Sequence, residues 1–244
     1  MSHTRLYIDN DLASGIELAV SGDKARYLGK VLRLRVGDEI SVFNGKVLEH
    51  TATLARIARN EVILEIGDEI ETETESSLKV HLVQGISRGE RMDFVVQKAT
   101  ELGVKRITPV LTEYGVVKLA ADRAAKRQDH WQKVAISACE QSGRIRPPLV
   151  EVPITLNAWF GQRTDATDRD LILQPGAKTP LTSIDAPQTK VCLLIGPEGG
   201  FSQTEYEDAA VSGFEAVSIG PRVLRTETAA VAAITVVQAS WGDL

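Results

Sequence analysis

With 244 residues, 43% of them hydrophobic, the chain is long enough to bury a sizeable core and to divide into two domains. A formal charge of -5 at pH 7 excludes a protein that coats nucleic acid indiscriminately, and a content of only 2 cysteines, Cys139 and Cys192, excludes a disulfide framework or a cysteine-rich metal site. The amino-terminal run Met-Ser-His-Thr-Arg-Leu-Tyr-Ile lacks the apolar stretch of a signal peptide, and no run approaches membrane-spanning length, so a soluble cytoplasmic protein is expected.

Short alternating runs at Arg5–Ile8, Ile16–Val20, Glu39–Phe43, Val47–Ile57 and Glu61–Ile70 are punctuated by Asn10-Asp11, Ser21-Gly22-Asp23, Gly37-Asp38 and Asn44-Gly45. This spacing predicts a small β-barrel with one helix near Asp23–Leu32, and Asn44-Gly45 between apolar flanks predicts a hairpin. Charge is unevenly placed along the same region. Lys24–Arg35 holds five basic residues and no acid, whereas Glu61–Glu75 holds seven acids and no base. Such segregation gives an acidic protein a basic face, which phosphate contacts require.

The polar run from Glu71 to Ser77 reads as a linker between domains at 1–72 and 78–244. After it the apolar period changes. A buried strand is predicted over Val80–Ile86, then a helix over Glu90–Leu102 with Phe94, Val95, Ala99 and Leu102 on one face and Gly103 closing it. Strand Ile107–Leu111, a helix through Trp131–Gln141, strands Leu171–Leu173 and Val191–Ile195, a helix from Ser202, strand Ala216–Ile219 and a final helix over Thr226–Trp241 follow. Gly161–Arg169 and Ala177–Lys190 read as loops. Alternating strands and helices predict an α/β fold with a mostly parallel sheet covered on both faces.

Two late loops carry the strongest chemical signal: Leu194-Ile-Gly-Pro-Glu-Gly-Gly-Phe201 and Ile219-Gly-Pro-Arg-Val-Leu-Arg-Thr-Glu-Thr-Ala229. Each leaves an apolar run and opens a helix, which puts bare backbone at the carboxyl end of a buried strand, where open α/β sheets bind ligands. Pro197 removes an N–H donor and Glu198 repels a phosphate; neither the Gly-Lys-Ser/Thr ending nor Gly-x-Gly-x-x-Gly is present. A phosphate-binding hydrolase or dinucleotide enzyme is therefore disfavoured. A ligand with an adenine, ribose hydroxyls and a positive centre fits glycine backbone beside a carboxylate, and S-adenosyl-L-methionine has those parts. Ser202 and Glu205 form a capping box that starts a helix directly after the first loop. The Ala-rich final helix suits core packing and a dimer interface equally. His3, His50, His81 and His130 share no metal spacing, so no metal is expected.

Ile195-Gly-Pro-Glu-Gly-Gly-Phe-Ser202 and Leu224-Arg-Thr-Glu-Thr-Ala229, together with Gly89-Glu-Arg-Met-Asp-Phe-Val-Val-Gln-Lys-Ala-Thr-Glu-Leu-Gly-Val104 and Glu140-Gln-Ser-Gly-Arg144, resemble the RsmE family of 16S ribosomal RNA (uracil-N3) methyltransferases. The similarity spans nearly the whole chain. It implies a PUA-like RNA-binding barrel over 1–72 and a SPOUT methyltransferase domain with a trefoil knot over 78–244, the latter forming a homodimer through the Ala-rich helix. The implied reaction is methyl transfer from S-adenosyl-L-methionine to N3 of a uridine in 16S rRNA, with the assembled small subunit as partner.

On that reading Leu173, Gln174, Pro175 and Gly176 join Ile195, Gly196, Pro197, Glu198, Gly199, Gly200, Ile219, Gly220, Leu224, Arg225, Thr226, Thr228 and Ala229 around the cofactor. Arg5, Lys30, Arg33, Arg35, Arg88, Arg91, Arg144 and Arg222 are the candidate RNA anchors. Glu227 and Arg225 are the candidate catalytic residues. Glu227, Glu198, Glu101 and Glu140 all remain open as the general base. Another SPOUT methyltransferase acting on a different base or a ribose 2′-hydroxyl, and a noncatalytic RNA-binding ribosome-assembly protein, are the competing readings.

Overall fold

The computed structural model describes residues 4–46, 48–116, 121–164 and 167–244, and the chain divides into two compact units. In the first, side chains alternate between core and solvent along strands β1 (Arg5–Tyr7), β2 (Glu17–Ser21), β3 (Glu39–Phe43), β4 (Glu49–Ile57) and β5 (Glu61–Ile70). Val20, Ile40, Val42, Ala52, Leu54, Val62, Leu64 and Ile66 fill one core. The sheet order is β1-β3-β4-β5-β2, antiparallel except for the parallel β1–β3 edge. Register shifts between His50 and Ala52 and between Leu54 and Arg56 bend the long β4–β5 ladder, as bulges do. The hairpin signal falls between β3 and β4, where Gly45 takes φ 77 and the Asn44 side chain accepts the Lys46 N–H; the predicted strand start at Val47 lies outside the described residues. The predicted helix is present as α1 (Gly22–Arg26), running into a π-helical turn at Tyr27–Val31.

One segment remote in sequence completes this unit: Cys139–Arg146, the end of a later helix and the turn after it. The reason is a set of buried polar contacts. Arg5 forms a two-pronged pair with Glu49 through Nε and Nη2, at 2.9 and 2.7 Å, and donates to the Cys139 and Arg144 carbonyls. The Tyr7 N–H donates to the Glu140 carboxylate, and Arg144 pairs with Glu75 at 2.9 Å. Phe43, Cys139 and Ile145 close a small core beside them. The sequence expectation for Arg5 and Arg144 as RNA anchors is corrected here. The Arg5 side chain is 11% exposed and that of Arg144 3%, and both guanidiniums are spent on internal acceptors. Burial pushes the Cys139 thiol up to about 12 and the Cys192 thiol upward as well, so both cysteines are inert core residues.

The second unit is a parallel sheet of β6 (Lys79–Gly85), β7 (Arg106–Leu111), β8 (Leu149–Val150), β9 (Ile154–Thr155), β10 (Arg169–Leu173), β11 (Thr179–Pro180), β12 (Lys190–Ile195) and β13 (Glu215–Ser218), in the order β11-β13-β10-β12-β6-β7-β8 with β9 also on β7. Helices α2 (Arg91–Glu101), α3 (Ala121–Ser142), α4 (Leu156–Gln162), α5 (Gln203–Val211) and α6 (Thr226–Trp241) cover it. One apolar cluster gathers Val95, Val96 and Ala99 of α2 with Trp131 of α3 and Ala230, Ile234 and Val237 of α6; another gathers Leu156 and Trp159 of α4 with Ala209 of α5. Two expectations shift. On α2 the buried stripe is Met92, Val95, Val96 and Ala99, while Phe94 is 43% exposed, because spacing by three and four from Met92 wins over the stripe through Phe94. Leu156–Gln162 is a helix, capped by the Thr155 hydroxyl accepting from the Ala158 N–H, so part of the predicted Gly161–Arg169 loop belongs to α4.

Arg5→Ala leaves Glu49 buried and unpaired and is expected to destabilise the first unit by about 3–5 kcal/mol, read as a lower urea midpoint. Affinity for RNA per folded molecule stays unchanged if Arg5 is structural; a selective loss of RNA binding in a stably folded variant would restore it as an anchor.

Candidate active site

The loops that follow β10, β12 and β13 meet around a cleft of about 600 Å³. Leu173, Gln174 and Pro175 form one side, Ile195–Phe201 another, and Val217–Gly220 with Arg222–Glu227 and Ala229 the third. Strand order explains the meeting, since β10 lies between β12 and β13 and all three run parallel, so their carboxyl ends share one edge.

The loop shapes are fixed by contacts with the sheet. A Cβ at Gly85, the last residue of β6, would lie 2.4 Å from Pro197 Cδ, so this strand must end in glycine for the loop to pass. The Thr226 hydroxyl donates to the Gly196 carbonyl at 2.6 Å and accepts from Gln84 Nε2 at 2.9 Å, tying loop, strand β6 and helix α6 at a buried point. Gly200 and Gly220 take φ 71 and 101, the left-handed region that favours glycine. The predicted capping box is present: Ser202 Oγ accepts from the Glu205 N–H at 3.2 Å, and Glu205 accepts from the Ser202 N–H at 2.9 Å. Glu205 also accepts the Glu113 N–H, which holds the Thr112–Gly115 turn against this loop.

Gly199 has a different reason from its neighbours. A Cβ there would meet the Tyr114 carbonyl at 2.7 Å and Tyr114 Cβ at 2.8 Å, so its small size is demanded by the turn behind the loop and not by a left-handed backbone.

Two carboxylates line the cleft in unlike surroundings. Glu198 accepts the Arg88 N–H at 3.0 Å and the Arg91 guanidinium at 2.7 Å. Burial pushes its carboxyl upward, but the Arg88 N–H, its own N–H and Arg91 outweigh that and hold it below the ordinary carboxylate range. It is therefore ionised and occupied. Glu227, in the first turn of α6, lies 3.9 Å from Arg91 Nε, and its Oε2 is buried with no hydrogen-bond partner among the described residues. The other two candidate bases stand elsewhere: Glu101 pairs with Lys98 at 2.8 Å, and Glu140 belongs to the first unit, where burial raises its carboxyl.

Of the residues expected around a cofactor, Gly176 and Thr228 do not line the cleft, whereas Arg91 and Arg222, expected on RNA, do. Phe201, Tyr206, Val217 and Ser218 line it without having been expected. Phe201 sits in the quoted Gly-Gly-Phe run, a signal that was available; Tyr206 comes from one turn into α5, which loop reading does not reach. In the first unit Lys30, Arg33 and Arg35 are exposed, and Arg33 takes φ 55, the only described non-glycine residue at positive φ. Apolar walls, free loop backbone and an unpartnered carboxylate oxygen match a nucleoside carrying a positive centre. Among the described residues no His/Cys/Asp/Glu group suits a metal ion, and no helix is long and apolar enough to cross a membrane.

A cleft of this kind at one edge of a parallel sheet, in a chain that also carries a small curled barrel, defines a cofactor-dependent RNA methyltransferase, and comparison with known proteins agrees. Residues 74–238 match the RNA methyltransferase domain family and residues 20–67 the RNA methyltransferase PUA domain family. The ribosomal RNA small subunit methyltransferase E of Buchnera aphidicola subsp. Schizaphis graminum is 35% identical over 98% of this chain and 97% of its own. A Neisseria gonorrhoeae ribosomal RNA small subunit methyltransferase E crystallised with S-adenosyl methionine is 39% identical, with a TM-score of 0.92 over 99% of each chain. A Legionella pneumophila protein solved with bound S-adenosylmethionine is 39% identical, with a TM-score of 0.95 over 100% of each chain. The chain belongs to the ribosomal RNA small subunit methyltransferase E family, RsmE, with the SPOUT methyltransferase fold behind an amino-terminal PUA barrel.

Thr226→Val keeps the volume but leaves Gln84 and the Gly196 carbonyl without their shared partner. It is expected to cost about 1–3 kcal/mol of stability and to weaken S-adenosylmethionine binding by about tenfold in calorimetry, with Thr226→Ser restoring both. Unchanged affinity in Thr226→Val would show that this tie does not shape the cleft.

Proposed function

We propose that this enzyme transfers the methyl group of S-adenosylmethionine to N3 of a uridine in 16S ribosomal RNA of the small subunit, in the cytoplasm and as a homodimer. The observation that carries the reading is Glu227, which lines a cleft whose loops suit a nucleoside cofactor and has one carboxylate oxygen buried without a partner among the described residues. Leu173–Pro175, Ile195–Gly200 and Ile219–Ala229 offer apolar wall and free backbone beside the Glu198 and Glu227 carboxylates, and these residues would hold the cofactor. When bound, it supplies a sulfonium-activated methyl group and departs as a neutral thioether.

The chain's own task is the proton. N3 of uridine carries one at neutral pH and lies on the Watson–Crick edge, so the base must be unpaired or flipped to be reached. Glu227 accepts the N3 proton as N3 forms its bond to the methyl carbon, and the product base is neutral. Arg91, 3.9 Å away through Nε, orients the Glu227 carboxylate. Arg225 and Arg222, exposed at the rim, face the carbonyl oxygens and phosphates of the incoming nucleotide. Glu198, spent on Arg88 and Arg91, fixes the loop. Lys30, Arg33 and Arg35 of the barrel supply phosphate contacts.

The test is mass spectrometry of small subunits treated with the protein and labelled cofactor. N3-methyluridine is the expected product, and label on another base or on a ribose would overturn the assignment. Glu227→Gln is expected to lower kcat by about 10²–10⁴ with cofactor affinity within about twofold, whereas Glu101→Gln leaves kcat unchanged.

Support for the homodimer comes from the outer face of α6, where Thr228, Ala232, Thr235 and Ala239 are small and not buried, while Ala230 and Ala233 face the unit's own core. Ala232→Glu is expected to yield monomers in light scattering; Ala233 is unsuitable because it is 0% exposed within its own unit. A monomeric unmodified protein at micromolar concentration would refute the dimer.

A further inference from the structure

Away from the cleft, the second unit carries a row of cations on α3. Its members Arg123, Lys126, Arg127 and Lys133 are all exposed, with the exposed His130 side chain among them. At about 100° per residue their spacing confines them to an arc of about 120° and a length of about 15 Å. The rest of the helix is committed elsewhere: Trp131, Ala135 and Ala138 are buried, and Gln128 and Gln132 donate to the Val150 and Pro148 carbonyls. Arg123, Lys126 and Lys133 form no ion pair among the described residues, and Arg127 only rests 6.0 Å over the Trp131 ring. Asp129 of the same helix stands beside this face, and Asp93 of α2 reaches its middle, at His130. Cations three and four residues apart repel one another, so the row destabilises the free helix unless an anion neutralises it.

A neighbouring feature points the same way. Asp93 of α2 accepts from His130 Nε2 at 2.7 Å and from Trp131 Nε1 at 3.0 Å, which latches α2 to the middle of the row. Helix α2 starts at Arg91, a cleft residue, and its next exposed side chain is Phe94. Residues 91–94 of α2 thus carry a cleft residue, the tie to α3 and an exposed aromatic ring in succession.

We infer that the α2–α3 face is a second RNA-docking surface, on which the α3 cations hold backbone phosphates beside the target nucleotide and Phe94 stacks on an unpaired base between them. The inference rests on the methyltransferase reading above. Ribosomal RNA is the occupant chosen because cations alone would suit any polyanion, whereas an exposed aromatic between cations and a base-modifying cleft suits a strand with unstacked bases.

The test compares Arg123→Gln, Lys126→Gln, Lys133→Gln with a triple of equal charge change on exposed residues of the same unit, Lys79→Gln, Lys178→Gln, Lys190→Gln. Binding to small subunits is measured across a salt series, beside cofactor calorimetry. The α3 triple is expected to lose at least about tenfold in affinity, and its log–log salt slope should fall by about 2–3, since each phosphate contact contributes about 0.7–0.9. The control triple should retain both, and cofactor affinity should be unchanged throughout. Phe94→Ala should weaken binding about tenfold with an unaltered slope, and Phe94→Tyr should restore it. Equal affinities and slopes for the two triples, with active unmodified protein, would overturn the docking surface alone; an unmodified protein that neither binds nor methylates RNA would overturn the functional reading with it.

Discussion

The cleft depends on one buried hydroxyl. Thr226 joins the last residues of β6, the loop after β12 and the first turn of α6, elements far apart in sequence. Because Gln84 and Thr226 are buried, each hydrogen bond is made where water cannot replace it, and the cost of losing one is the desolvation of the group left behind. Gly85 contributes the complementary constraint, a strand end without a side chain beneath Pro197. Loop and helix are held this way by contacts within the chain itself, which reduces the backbone ordering that binding requires.

The same framework separates two carboxylates that look alike in sequence. Glu198 meets an N–H and a guanidinium at short distance and is held ionised as part of the loop. Glu227 has one oxygen near Arg91 and the other buried and unmatched. An unmatched buried acceptor is unfavourable for folding, and such groups persist where a ligand or reacting atom completes them. Arg91 sits between the two and couples them. A change at Glu198 therefore reaches Glu227 through a shared guanidinium, not through the backbone.

The parallel sheet, its order of helices and the two ligand loops were legible because glycine, proline and apolar period act locally. Ser202 and Glu205 were legible for the same reason, since both partners of a capping box lie within one turn. What sequence could not supply was long-range pairing. Arg5 and Arg144 look like surface cations until Glu49 and Glu75, distant in sequence, are placed against them. The segment Cys139–Arg146 joins the first unit for this reason, although a domain boundary read from composition assigns it to the second. Gly199 shows a subtler limit. Its glycine character was visible, but the cause, the Tyr114 backbone behind it, was not.

An acidic chain that acts on a polyanion must concentrate its attraction, because at a net charge of -5 the mean field opposes approach. The fold does this by internal cancellation. Arg5, Arg144 and Arg163 are consumed by Glu49, Glu75 and Asp170, so these cations add structure without adding to the external field. The cations left exposed include those of the barrel's Lys30–Arg35 segment, of the cleft rim and of α3. Counterion release at a local cationic patch favours a polyanion that reaches it, while acidic surface elsewhere repels other registers. A net negative charge is thus compatible with an RNA substrate, because attraction to a polyanion is carried by local patches and not by the mean field.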